Sequence, residues 1–217
     1  MRIAIDTSKN KEYTGMITGS QYSMQQMYSE LVRIFKSHGV NPPFHWYKIS
    51  RKVKHGAKGK IIRMLAAGNV RLTVFHHNIP FGVEKKKYYL QHVPNGISAV
   101  LETILKKWSG GIEVSVDDDY RVAGVMDSTG VFIHNLLEMT CSRLAGARVP
   151  VRKNGKRKAT VKMIDGRIIN FYGGSIPSKE SGEIQMVDIL LNCFLSNPDD
   201  FKGLSDGENK RVFVKKL

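Results

Sequence analysis

The sequence predicts an α/β fold, a mixed sheet flanked by helices. Three observations predict it. Short apolar runs alternate with polar residues, as in Ile112-Glu-Val-Ser-Val-Asp117, the period of a strand with one face toward a core. Longer segments, such as Gln21 to His38, place apolar residues at helical spacing. Tight hairpin signals and helical crossovers both connect the runs, so the sheet is mixed.

The elements follow in order. Residues 2–6 form a first, central strand, with Ile3 and Ile5 in a short apolar run and Asp6 at its end. Thr14 to Gly19 is a short second strand or part of a loop. Gln21 to His38 is a helix with Met24, Met27, Leu31, Ile34 and Phe35 on one side and Gly39 as its stop. Phe44 to Ser50 alternates like an edge strand. Lys58 to Ala67 is a short basic helix closed by Gly68-Asn69, and Val70 to His76 is a strand. Gly96 to Trp108 is a helix ended by Ser109-Gly110-Gly111, before the strand Ile112 to Asp117. Ser128 to Leu144 is a helix capped by Ser128 or Asp127. Arg152 to Lys158 reads as a basic hairpin turning at Asn154-Gly155. Lys158 to Ile164 and Arg167 to Tyr172 form a further hairpin across Asp165-Gly166.

The last helix, Ser181 to Leu195, carries the most informative residue. Ile184, Val187, Leu191, Phe194 and Leu195 share one apolar stripe, and Asp188 falls on it. A buried carboxylate is costly unless it is paired, hydrogen-bonded or bound to metal. The alternative is a helix rotated so that Asp188 reaches the rim and a structural partner. Asp6 ends the first strand, and ligand sites in open α/β sheets gather at strand carboxyl ends. Asp117-Asp118-Asp119 ends a later strand, as a solvated turn or a cation site. Two-metal phosphoryl transfer needs such converging carboxylates, because Mg²⁺ and Mn²⁺ take oxygen ligands. Asp6, Asp117 and Asp188 are therefore the candidate catalytic residues and Mg²⁺ or Mn²⁺ ligands.

Asp6-Thr7-Ser8, Val116-Asp117 and Ile184-Gln185-Met186-Val187-Asp188 stand in the order of motifs of the ribonuclease-H-like superfamily. More narrowly, the chain resembles the family catalogued as domain of unknown function 3800. Its members open with a strand ending in Asp-Glu-Ser, carry an aspartate after a middle strand, and start a late helix with Ile-Gln-Leu-Ala-Asp. The segment Tyr172 to Gly182 is similar to the family's serine- and lysine-containing loop. The motifs run from residue 3 to residue 195. The resemblance implies a single ribonuclease-H-like domain over 1–217, with a basic insertion around 40–95, and a nuclease or nucleic-acid-processing role. This chain has Thr7 where the family has glutamate. If that glutamate is a ligand, Glu180, Glu183, Asp118 or Asp119 replaces it, or the protein only binds. The family register and strand parity select Asp117 among the three neighbouring aspartates.

Charge supplies an independent argument. Lys plus Arg is 34 against 19 for Asp plus Glu, a net of +15, the footprint of a nucleic-acid binder. No basic amphipathic helix or lipidation motif points to a membrane surface instead. The cations cluster at Lys52, Lys54, Lys58 and Lys60, at Lys85, Lys86 and Lys87, and at Arg152, Lys153, Lys156, Arg157 and Lys158. Arg211, Lys215 and Lys216 flank a last apolar run. Lysines neutralise phosphates without reading sequence, so binding should be salt-sensitive and weakly selective. Tyr88 and Tyr89, beside the second cluster, could stack on bases, unless one is core. Ser8, His76, His77 and Gln185 are accessory candidates, with hydrogen-bonded structural roles as the alternative.

Cys141 and Cys193 lie in apolar helical patterns without zinc spacing, as buried free thiols. No stretch approaches about 18 apolar residues, and no signal-peptide core opens the chain, which fits a cytoplasmic setting. No serine-hydrolase elbow or P-loop is present. The first functional reading is thus a Mg²⁺- or Mn²⁺-dependent nuclease acting on RNA or DNA. The second is a non-catalytic nucleic-acid-binding protein on the same fold. A third is a protein-interaction subunit of a larger defence or mobile-element complex, whose basic face meets an acidic partner; a homo-oligomer is a separate expectation.

Overall fold

The computed structural model describes residues 1–8, 12–117, 126, 128–145, 156–163, 165–206 and 210–217. They form the strands β1 (Arg2–Thr7), β2 (Tyr13–Gly19), β3 (Arg71–His76), β4 (Gly110–Asp117), β5 (Lys156–Lys162), β6 (Ile168–Ile176) and β7 (Val212–Lys216). The helices are α1 (Gln21–Lys36), α2 (Arg51–Ala67), α3 (Lys85–Lys87), α4 (Val93–Leu105), α5 (Ser128–Ala145), α6 (Gly182–Ser196) and α7 (Lys202–Ser205). The chain gathers into two units, one of Arg2–His76 and Pro177–Lys216, the other of His77–Ile176 with Met1 and Leu217. Each is α/β, with mixed strands and packed helices.

In the first unit the strand order is β1-β2-β3-β7. β1, β2 and β3 are antiparallel neighbours, and β7 runs parallel to β3. Ala4, Ile17, Leu72 and Val74 join Ile184, Val187 and Leu191 of α6 in one apolar cluster. Gly15 lets the helix come close. A Cβ there would lie 3.0 Å from Val187 Cγ1 and 3.1 Å from Leu191 Cβ. Side-chain caps start the three long helices of this unit. Ser20 accepts from the Ser23 N–H, Ser50 from Val53 and Ser181 from Ile184. After α1 the chain turns at Gly39, whose φ of +76° suits a residue without a Cβ.

In the second unit the order is β5-β6-β4, with β4 parallel and β5 antiparallel to β6. α4 and α5 pack together, and α5 lies along β5 and β6. Ile133 and Leu137 of α5 fill the space above Gly173, where a Cβ would meet Ile133 Cγ2 at 2.6 Å. The β5–β6 hairpin turns at Asp165-Gly166, as the sequence predicts. Gly166 has φ +83°, and Arg167 O accepts the Met163 N–H at 2.7 Å.

Several expectations are corrected. Phe44 to Ser50 is not a strand; Trp46–Lys48 is a single 3-10 turn. The Phe44 and Trp46 N–H groups bond to the Gln185 and Asp188 side chains, so a strand neighbour is not needed. The basic helix begins at Arg51 rather than Lys58. The Ser50 cap and the buried Ala57, Ile61, Met64 and Leu65 outweigh the helix-weakening Gly56 and Gly59. Gly56 has a packing reason, since His38 Cε1 stands 2.9 Å from where its Cβ would be. The Gly96 helix starts earlier, at Val93, and ends at Leu105. The Asn154-Gly155 turn and Asp127 lie outside the described residues.

Candidate functional site

α6 is buried on most of its circumference, and Asp188 lies on its less buried strip with Asn192 and Leu195. The apolar stripe is therefore rotated away from Asp188, the rim placement that the sequence left as the alternative. The carboxylate has structural partners. Oδ2 accepts the Trp46 N–H at 2.8 Å, and Oδ1 accepts the Asn192 amide at 2.7 Å. Loss of solvent raises its pKa above the ordinary carboxylate value. The Trp46 bond and the charges of His45 and Lys54 oppose that rise.

Beside Trp46 lies a cleft of about 670 Å³ between the start of α2 and the end of α6. Arg51, Lys52, Lys54, His55 and Lys58 line it, with Trp46, Ser196 and Asn197. α2 holds six Lys or Arg residues and no Asp or Glu. Arg51, Lys52 and Lys54 occupy its first turn, where the helix dipole disfavours cations. An anion in the cleft would relieve both the mutual repulsion and the dipole. Lys54 Nζ sits 5.0 Å from the Trp46 ring centroid, within cation–π range. Lys58 is held back by Asp200 at 2.7 Å and by Asn197. Arg51 and Lys52 are exposed and form no ion pair among the described residues.

The other predicted acids are more deeply buried than Asp188. Asp6 is 8% exposed at the end of β1, and its Oδ1 accepts the Thr7 N–H. Its register partner is Gly15, so it shares the sheet face that α6 covers. Asp6 and Asp188 thus border the same layer of the first unit. Asp117, 8% exposed, ends β4 in the second unit. Among the described residues, no three His, Cys, Asp or Glu side chains gather as a metal-holding group. Asp118 and Asp119 lie outside those residues.

The accessory candidates have structural duties. Ser8 Oγ accepts the Tyr13 N–H at 3.1 Å and helps close the β1–β2 turn. His76 stacks on Tyr13 at 4.7 Å. His77 packs edge-on to Tyr88 and Tyr89. Gln185 Oε1 accepts from both the Phe44 N–H and the Tyr28 hydroxyl. Tyr88 and Tyr89 are both buried, which corrects the base-stacking expectation for this pair. They anchor the helical turn whose exposed side carries Lys85, Lys86 and Lys87.

Of the remaining cations, Lys60 lines a second groove, between α1 and α2, with Arg33 and Arg63. Lys156, Arg157 and Lys158 stand in β5 opposite Gly174, Gly173 and Tyr172. Arg152 and Lys153 lie outside the described residues. Sequence reasoning missed Trp46, Ser196 and Asn197 as cleft walls. Trp46, directly before the basic run, was the available signal, hidden by reading its segment as a strand.

No family model matches the chain, and neither a curated protein nor a solved structure does.

Proposed function

We propose that this protein binds nucleic acid, holding the phosphate backbone in the basic cleft at the start of α2. One observation carries the reading: five cationic or titratable side chains of α2, a helix that lacks any acid, line one cleft with Trp46. Cations supply sequence-independent affinity, and the net charge of +15 draws polyanions from a distance. The test is fluorescence anisotropy with single- and double-stranded DNA and RNA across a salt series. Arg51→Glu with Lys52→Glu should weaken binding at low salt and flatten log K against log salt by about 0.7–0.9 for each phosphate no longer neutralised. Unchanged affinity and slope would sink the proposal.

A metal-dependent nuclease on a ribonuclease-H-like fold is the second reading. Asp6, buried near the carboxyl end of β1 on the sheet face that α6 covers, favours it. Hairpin and crossover connections also suit that fold. Cleavage assays with Mg²⁺, Mn²⁺ or EDTA on wild type, Asp6→Asn and Asp188→Asn separate the two readings. Metal-dependent cutting lost in both variants would establish the nuclease. Binding without cutting leaves the binder.

A further inference from the structure

The second unit carries an exposed sheet surface of its own. β5 and β6 turn Ala159, Val161, Ile169, Phe171 and Gly173 inward, where α5 covers Gly173. The alternate residues form the opposite surface. On it Lys158 pairs with Tyr172, Thr160 with Asn170, and Lys162 with Ile168. Lys158 and Lys162 are exposed, Tyr172 is 38% exposed and Ile168 is 56% exposed.

We infer that this face is a stacking platform for single-stranded nucleic acid, with Tyr172 meeting a base and Lys158 and Lys162 meeting the flanking phosphates. The inference rests on reading the chain as a nucleic-acid binder but uses a different surface. The geometry favours this occupant. Lys158 Nζ stands 5.6 Å from the Tyr172 ring centroid, near the outer limit of cation–π contact, so a base can displace it at little cost. The ammonium then lies one side chain away from the stacked base. Thr160 donates to Asn170 Oδ1 at 2.8 Å, which leaves the Asn170 amide nitrogen as the end that meets a base acceptor. Glu113 of β4, half-buried in register with Tyr172, is the one acid on these three rungs among the described residues. A duplex stacks its bases internally, so a platform of this kind selects unpaired bases.

The test uses the whole chain and short fluorescent oligonucleotides, ten-residue oligo-dT and oligo-U, against a duplex of equal length. Tyr172→Ala should weaken single-strand binding about tenfold, in the range expected for one stacked base, and change duplex binding little. Tyr172→Phe keeps the ring and should bind like wild type. Lys158→Gln with Lys162→Gln should reduce the salt dependence of single-strand binding. Near-wild-type thermal melting of Tyr172→Phe and the lysine pair keeps the comparison valid if Tyr172→Ala loses stability. Equal losses for single strands and duplex in Tyr172→Ala would overturn the platform, as would no loss at all. If those variants are silent while Arg51→Glu with Lys52→Glu weakens binding, only this inference fails. If the wild type binds no oligonucleotide, both readings fail.

Discussion

The Asp188 carboxylate takes the backbone N–H of Trp46 at 2.8 Å. The aspartate that looks like a metal ligand in sequence therefore also positions the aromatic wall of the basic cleft. Asp188→Ala should leave that N–H without its partner and destabilise the fold by about 1–3 kcal/mol. It should also shift the Trp46 fluorescence. Denaturant unfolding with tryptophan emission reads both. A stable variant with wild-type emission would deny the positioning role.

The pH dependence of Asp188 has a definite sign. Its folded pKa is raised above the reference 3.8, so the protonated form is the one the fold favours. The associated stability is full below the reference value and is lost as pH rises through the raised one. Asp188→Asn removes that loss. Melting temperatures of the wild type and the Asp188→Asn variant, taken from about pH 3 to pH 7, should therefore shift in favour of the variant with rising pH, then level off. A pH-independent difference would contradict the burial argument.

Asp200 holds Lys58 at 2.7 Å on the cleft wall. Asp200→Asn should release that cation and tighten oligonucleotide binding a few-fold at low salt. The salt slope should steepen by up to about 0.9. Anisotropy titrations check this directly, and weaker binding would argue against the cleft as the phosphate site.

Gly182 opens α6 directly against Tyr28. A Cβ there would come within 2.7 Å of two Tyr28 ring carbons. The ring has little freedom to retreat, because its hydroxyl donates to Gln185. Gly182→Ala should cost about 1–3 kcal/mol by overpacking, measured by urea unfolding. A neutral result would mean that the Tyr28–Gln185 contact yields easily.

Burial pushes the Cys141 and Cys193 thiols up to about 12. At about pH 8, on the order of one molecule in ten thousand would carry either thiolate, so the folded protein should resist alkylation. Intact-mass analysis after iodoacetamide should show both thiols modified only in denaturant. Rapid native labelling of either one would contradict its burial.

Much of the framework was legible in the sequence. α1 falls where periodicity places it because it buries one patterned face, and β1, β3 and β4 fall where short apolar runs place them, although β1 and β3 are buried on both faces. The Asp165-Gly166 turn was legible because few residues accept a positive φ. The burial of both free cysteines followed from their apolar surroundings.

The sequence by itself determined the α/β class, the apolar faces, the basic character and the residues rich enough in chemistry to consider. Tertiary structure alone decided what those residues face. Phe44 to Ser50 has strand-like alternation, yet Gln185 and Asp188, 141 and 142 positions from the residues they bind, claim its backbone N–H groups. The same long-range contacts turn Trp46 into a cleft wall and make Gln185 a structural acceptor. Tyr88 and Tyr89 go into the core, while Tyr172 keeps an open face. Local pattern encodes which side of an element is apolar. The partner of a buried polar group is set by chain segments that meet only when the core closes, and hydrogen bonding there is too costly to leave unmade.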